Sequence, residues 1–142
     1  MFEQRAQRAA EAMNRKDLAA VLRPWADDGV FEMAGHTTRS GRYEGKAAIE
    51  AFFRRIFERL EVIKFTVRRV GLANPVGFTY NNTIFIEMEV EEVSTDGATL
   101  HTLSLGVYEW RRGKLVGVRE WHFDPTAYES IWGRAESAGR SG

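Results

Sequence analysis

The residues of this chain best suited to chemistry sit in its last apolar stretch, KLVGVREWHF, where Glu120 lies between Arg119 and Trp121. A charged group among so many apolar neighbours needs a partner, water or a chemical task. If Glu120 points into a dry interior, desolvation raises its pKa and makes it a workable general base. If it points outward, it is one more solvated carboxylate. Alternation does not decide between these. Glu120 shares parity with Val116, Val118 and His122, while Leu115, Gly117, Arg119, Trp121 and Phe123 form the other set, and both sets are largely apolar. Two partners are candidates for a catalytic group with Glu120. Glu89 belongs to the run Glu87, Glu89, Glu91, which alternates with Ile86, Met88 and Val90. That pattern fits a strand with one wet face, or an array in which neighbours keep one carboxyl protonated. His101 alternates with Leu103, Leu105 and Val107. It fits a hydrogen-bonded core residue, or an acid/base partner if it lines the same cavity as Glu120.

Other chemistries find no support. The three histidines stand at 36, 101 and 122 without His-x-His or Glu-x-x-His spacing, and cysteine is absent, so no metal is expected. There is no Gly-x-Gly-x-x-Gly, no P-loop and no nucleophile elbow, so no cofactor is expected either. Lys+Arg and Asp+Glu each total 20, which leaves no basic excess for nucleic acid. The N-terminal segment lacks an apolar signal core, and no window approaches the roughly 20 apolar residues of a membrane span. The expectation is a cytoplasmic protein that uses neither nucleic acid nor membrane.

The elements that must position these groups follow from periodicity. Phe2, Ala6, Ala9, Ala10 and Met13 mark an amphipathic helix ending near Asn14. Asp17 is placed to cap a short second helix carrying Leu18, Val21, Leu22 and Trp25, which Pro24 ends or kinks. Asp27-Asp28-Gly29 reads as a turn into a short strand, Val30 to Met33. The segment from Ala34 to Gly45 reads as a loop, with Tyr43 as a hydrogen-bond donor. Ile49, Phe52, Phe53, Ile56, Phe57 and Leu60 give the third helix a wide aromatic stripe. Four strands follow: Val62–Val70, Phe78–Val93, Ala98–Arg111 and Lys114–Phe123, the last two joined by a turn at Arg112-Gly113. A helical turn over Thr126–Trp132 closes a domain of residues 1–134, and 135–142 reads as a disordered tail. Segregated helices and a mostly antiparallel sheet make an α+β class, with a curved sheet wrapped around a long helix and a funnel between them. Trp25, Phe31, Met33, Tyr43, Phe53, Phe57 and Trp121 are the candidate walls for a substrate. Apolar groups on both faces of two long strands point to pairing with a second copy.

The segments AMNRKDLAAVLRPWADDGVFEM, YEGKAAIEAFF and GVYEWRRGKLVGVREWHFD, in this order, resemble the nuclear transport factor 2-like superfamily, nearest its SnoaL-like and limonene-epoxide-hydrolase-like members. The resemblance implies a cone-shaped α+β domain and a homodimer. It places Glu120 where the epoxide-hydrolase pattern has its catalytic Asp. Glu87 and Glu89 stand at that pattern's Arg-x-Asp pair, and Phe31 and Met33 at its water-holding Tyr-x-Asn pair. The ketosteroid-isomerase pattern puts its Asp base on Met33 and its Tyr donor on Ala9. The expected function is cofactor-independent general acid/base chemistry on a hydrophobic small molecule, of cyclase, isomerase or epoxide-hydrolase type. The alternative is a non-catalytic binding or dimerisation module of the same shape.

Overall fold

The helix with the aromatic stripe, α3 (Lys46–Arg59), buries Ile49, Phe52, Phe53 and Ile56 along one side. The other side stays wet and carries the Arg54–Glu50 pair at 2.9 Å. So one-sided a helix must lie against an apolar surface. The computed structural model describes residues 2–76 and 80–133 and supplies that surface as one curved sheet. Around α3 the chain runs α1 (Phe2–Asn14), α2 (Leu18–Leu22), β1 (Trp25–Met33), β2 (Gly41–Glu44), then β3 (Leu60–Leu72), β4 (Asn82–Ser94), β5 (Thr99–Arg111), β6 (Lys114–His122) and α4 (Pro125–Trp132). The sheet order is β2-β1-β6-β5-β4-β3. Every neighbouring pair is antiparallel except β1 and β6, which run parallel. The result is the α+β cone, with the helices on the concave side of a mostly antiparallel sheet.

Several local signals behave as their chemistry dictates. The Asp17 carboxylate accepts from Ala20 N–H at 3.1 Å and caps α2. Asp124 does the same for α4 through Ala127 N–H, with Pro125 in the first turn. The β5–β6 hairpin turns at Arg112 and Gly113, both with positive φ (51° and 72°), the conformation whose twist matches the flanking strands. Two segments differ from the sequence expectation. Asp27-Asp28-Gly29 is no turn but an irregularity inside β1, which begins at Trp25 and shifts register against β6 between Trp25 and Val30. Gly29 is needed there because a Cβ would stand 2.6 Å from the Trp25 ring. The expected loop before α3 contains the short edge strand β2, whose four residues are too few to show alternation. The expected tail from 135 and the expected strand start at Phe78 lie outside the described residues.

The core forms two clusters rather than one. The larger joins α3, β1, β6 and α4 through Phe31, Phe52, Ile56, Val118 and Tyr128. The smaller sits under α1, where Ala6 meets Ile84, Ile86, Met88 and Val90 of β4. Alanine is too short to reach across to the larger cluster, so a space is left between them. Truncating Phe52, which is 1% exposed and packs on Phe31 and Tyr43, should remove one wall of the larger cluster. Phe52→Ala is expected to cost about 3–5 kcal/mol in urea-induced unfolding, with the transition remaining cooperative.

Candidate functional site

The space between the two clusters is a cavity of about 620 Å³ opening between α1, α2 and the foot of the β5–β6 hairpin. That size falls in the usual range for small-molecule sites. Its walls are apolar: Trp25, Phe31 and Phe53 on one side, Phe65, Ile86 and Met88 on the other, with Trp110, Leu115 and Val118 between them. Glu120 projects into this cavity from β6. A register shift in β6, between the pairs Glu109↔Gly117 and Trp110↔Leu115, explains why simple alternation is silent. The extra residue at Val116 brings Leu115 onto the same face as Val118 and Glu120, so the two parity sets exchange roles part-way along the strand.

Glu120 lies opposite Gly106 on β5 and Met33 on β1. The Tyr108 hydroxyl donates to its Oε1 at 3.3 Å. Gly106 makes this contact possible, since a Cβ there would meet the Tyr108 ring at 2.5 Å. Removal from bulk water raises the Glu120 pKa above the ordinary carboxylate range, and the charge of Glu92 adds to the rise, although Arg39 and the Tyr108 hydrogen bond pull it back. Burial pushes Tyr108 well above the usual phenol value, with the Glu120 charge acting in the same sense, so it stays a neutral donor.

Behind Glu120 lies a buried polar knot. Arg39 is 5% exposed and Glu92 1% exposed, and they pair at 3.3 Å. Glu92 also accepts from Trp132 Nε1 at 3.2 Å. The Arg39 guanidinium lies over the rings of Trp132, Phe52 and Tyr128 at 4.7, 5.5 and 5.3 Å. Burial works against the Arg39 charge, but Tyr128, Glu92 and Glu120 outweigh it and leave its pKa raised. The backbone carrying Arg39 is fixed by Thr37 and Ser40, whose side chains bond each other at 3.0 Å, and by Tyr43, whose hydroxyl donates to the Arg39 carbonyl at 2.7 Å. His122 stacks on Tyr128 at 3.8 Å, and both its ring nitrogens are buried with no hydrogen-bond partner among the described residues. Burial drives its pKa down to about 3, helped by the Arg39 charge, so the ring is neutral.

The residues singled out from sequence divide between the two faces of the sheet. Glu120, Trp25, Phe31 and Phe53 line the cavity. Met33 is buried beside it, taking a contact from the Tyr128 hydroxyl at 3.5 Å. Tyr43 and Phe57 pack at the edge of the larger cluster, on Phe52 and Phe53 respectively. Glu89 and His101 do meet, at 2.6 Å, but on the outer face of the sheet, where Arg68 also pairs with Glu89 at 2.9 Å. Strand alternation puts them opposite the inward Met88 and Thr102, and they share no cavity with Glu120. His101 and Arg68 hold Glu89 below the usual carboxylate range. Glu89, Glu91 and His101 bring ligand-type atoms within 4.8 Å, but Arg68, His101 and Lys64 already engage both acids. Trp121 also takes the outer face, 43% exposed. Sequence reasoning passed over Arg39, Glu92, Tyr108 and His122 as site residues. Glu92 was detectable, because it stands on the parity of Ile84, Ile86, Met88 and Val90 rather than that of the other three acids. Arg39 sits in irregular backbone and leaves no periodic signal.

A curved six-stranded sheet closed by helices over an apolar cavity is the architecture of the nuclear transport factor 2-like folds. Residues 6–118 match the family model of the SnoaL-like domain, and the chain belongs to that family. Among solved structures it is similar to Bal32a from a soil-derived mobile gene cassette, at 18% identity over 92% of this chain and 95% of that one, TM-score 0.79. A protein of ketosteroid isomerase-like fold from Catenulispora acidiphila, in complex with trimethylamine, is similar at 14% identity over 91% and 92%, TM-score 0.72. A limonene-epoxide-hydrolase-like (LEH-like) epoxide hydrolase from M. tuberculosis is similar at 17% identity over 89% and 85%, TM-score 0.68. At these identities the likeness establishes the fold alone. No curated protein matches the sequence. No helix among the described residues is long and apolar enough to cross a membrane.

The neutral His122 has a consequence for acid stability. Its folded pKa lies below its unfolded value of about 6.5, so on acidification the unfolded chain takes up the proton first. Stability should therefore fall as pH drops from about 6.5 towards 3, by a few kcal/mol from this group. His122→Phe keeps the stack on Tyr128 and cannot titrate. Chemical denaturation across that pH range should show a shallower loss for the variant than for the parent.

Proposed function

We propose that the protein is a small enzyme that moves a proton on a hydrophobic molecule bound in the cavity, with Glu120 as the general acid/base. The observation that carries this reading is a carboxyl group set into an apolar cavity with a neutral phenol, Tyr108, hydrogen-bonded to it. A carboxyl whose pKa is raised toward the working pH transfers protons most effectively. Tyr108 holds one carboxyl oxygen and leaves the other free for a substrate. Arg39, buried nearby, supplies a fixed positive field that favours developing negative charge. Isomerisation, cyclisation and water addition all use this arrangement. Glu120, not the Glu89–His101 pair, is assigned the proton because only Glu120 reaches the cavity.

A binding module of the same shape is the second reading, favoured by Phe31. It presents a ring to the cavity at a position where the epoxide-hydrolase pattern holds water. Replacement of Glu120 separates the two. For a substrate found by screening epoxides and enolisable carbonyl compounds, Glu120→Gln should lower turnover by about 10²–10⁴-fold. The same variant should gain stability at neutral pH. The raised folded pKa means the protonated acid stabilises the fold below the unfolded value of about 4.3, and this is lost as pH rises through the folded value. Glutamine keeps the neutral form at every pH, so the gain should vanish in acid. A Glu120 that titrates in the ordinary range by carbon-detected NMR, with turnover untouched by the variant, sinks the enzymatic reading.

The outer sheet face is assigned to a second copy of the chain. Phe85, Leu105 and Trp121 are 38%, 45% and 43% exposed there, on the adjacent strands β4, β5 and β6. Apolar side chains on neighbouring strands form a flat surface suited to self-pairing. Sedimentation should give a dimer for the parent and a monomer for Leu105→Glu/Trp121→Glu.

A further inference from the structure

The cavity is apolar within, but its opening is not. Arg5, Arg8, Arg15, Arg23 and Lys114 line it with a single acid on the rim, Glu11. All five basic side chains are exposed. In a chain with 20 basic and 20 acidic residues, this concentration is a local feature, not a reflection of net charge. The helical period explains how α1 builds it. Ala9 and Ala12 keep the wall of the opening short, while Arg5 and Arg8, at i and i+3, stand along the same flank, followed by Arg15 just past the helix end, where its N–H still donates to the Glu11 carbonyl at 3.0 Å. Arg23 enters from the end of α2 and Lys114 from the hairpin foot.

Pairing sharpens the contrast. On the outer sheet face Lys64, Arg68, Arg69 and Arg119 each have a carboxylate within 4.0 Å. At the rim, Arg15 has Asp17 at 4.0 Å and Arg5 lies over the Trp110 ring at 5.1 Å. Arg8, Arg23 and Lys114 make no ion pair among the described residues. Exposed cations around a low-dielectric opening focus a positive potential into it and concentrate anions there. The acid inside, Glu120, is at the opposite end and near Arg39.

We infer that the ligand of this cavity is an amphipathic organic anion, with an apolar body between Trp25, Phe53 and Met88 and a carboxylate, sulfonate or phosphate group held at the mouth by Arg8, Arg23 and Lys114. The anion is a handle: it fixes which end of the molecule enters first and so which atoms reach Glu120. This rests on the cavity being the binding site, as proposed above. It adds the substrate's charge and its orientation.

The test uses a matched pair of fluorescent probes, 1-pyrenebutyrate and its neutral amide, titrated into the full-length protein. The acid should bind about tenfold tighter than the amide at low ionic strength, and the difference should shrink as salt screens the rim. Arg8→Glu/Arg23→Glu should weaken the acid far more than the amide, and retained amide binding reports that the cavity is still folded. Equal affinity for the two probes overturns the anion assignment. So does an acid preference that survives both salt and the double substitution, since the rim would then not be its source. Binding of neither probe overturns it together with the cavity reading. The acid/base role of Glu120 fails separately, by an ordinary titration and an inert Glu120→Gln, whatever the probes show.

Discussion

The buried pairing of Arg39 with Glu92 is the constraint on which the closed end of the cone depends. Taking both charges out of water is costly, and the pair is tolerable only because each has further partners. Glu92 is bonded by the Trp132 indole, and Arg39 is sandwiched among three aromatic rings. Those partners come from distant parts of the chain. Arg39 belongs to the segment before β2, Glu92 to β4, Tyr128 and Trp132 to α4, and Phe52 to α3. One ion pair thus ties four elements across the end of the sheet. It also sets the electrostatics of the cavity, because Arg39 acts on Glu120 and His122 together. The positive charge opposes protonation of both. For His122 it adds to the larger effect of burial, which keeps the ring neutral, while for Glu120 it moderates the opposing effect of desolvation.

The cavity itself follows from what the core does not fill. Small side chains on α1 leave the two clusters apart, whereas a leucine at Ala9 or Ala12 would begin to close the gap. The same alanines keep a site open at the expense of apolar contact, a trade common at functional sites. Glu120 carries a second such cost, since a carboxyl with a raised folded pKa destabilises the fold whenever it ionises. Both features oppose stability, and both belong to the same cavity.

Much of this was legible in the sequence. The aromatic stripe of α3, the caps at Asp17 and Asp124 and the Arg112-Gly113 turn are local effects, so neighbouring residues suffice to reveal them. The cone was readable from the order of elements, and the family from the resemblance that this order and three segments of the chain carry together. The side of β6 that faces inward was not, because the shift at Val116 exchanges the parity sets and both sets are apolar. The separation of Glu120 from Glu89 and His101 was hidden for a related reason: which strand face meets the helices is a tertiary fact, and an acidic run is compatible with either side. Arg39 was out of reach altogether, since its burial depends on contacts with distant residues, as far along the chain as Trp132.

The two ends of the cavity impose different tasks on charge. At the closed end the charges are desolvated, paired and fixed, so they act on pKa values and hardly feel salt. At the mouth they are solvated, and they act on what approaches, weakly for each residue but collectively over the opening. A neutral substrate would use only the first set. An anionic one would use both: the rim would draw and orient it, and the interior would then present a poised acid to its apolar end. Arg8, Arg23 and Lys114, which make no ion pair among the described residues, are therefore the feature that a reading based on Glu120 alone leaves unexplained, and an anionic handle accounts for them without altering the chemistry assigned to the acid.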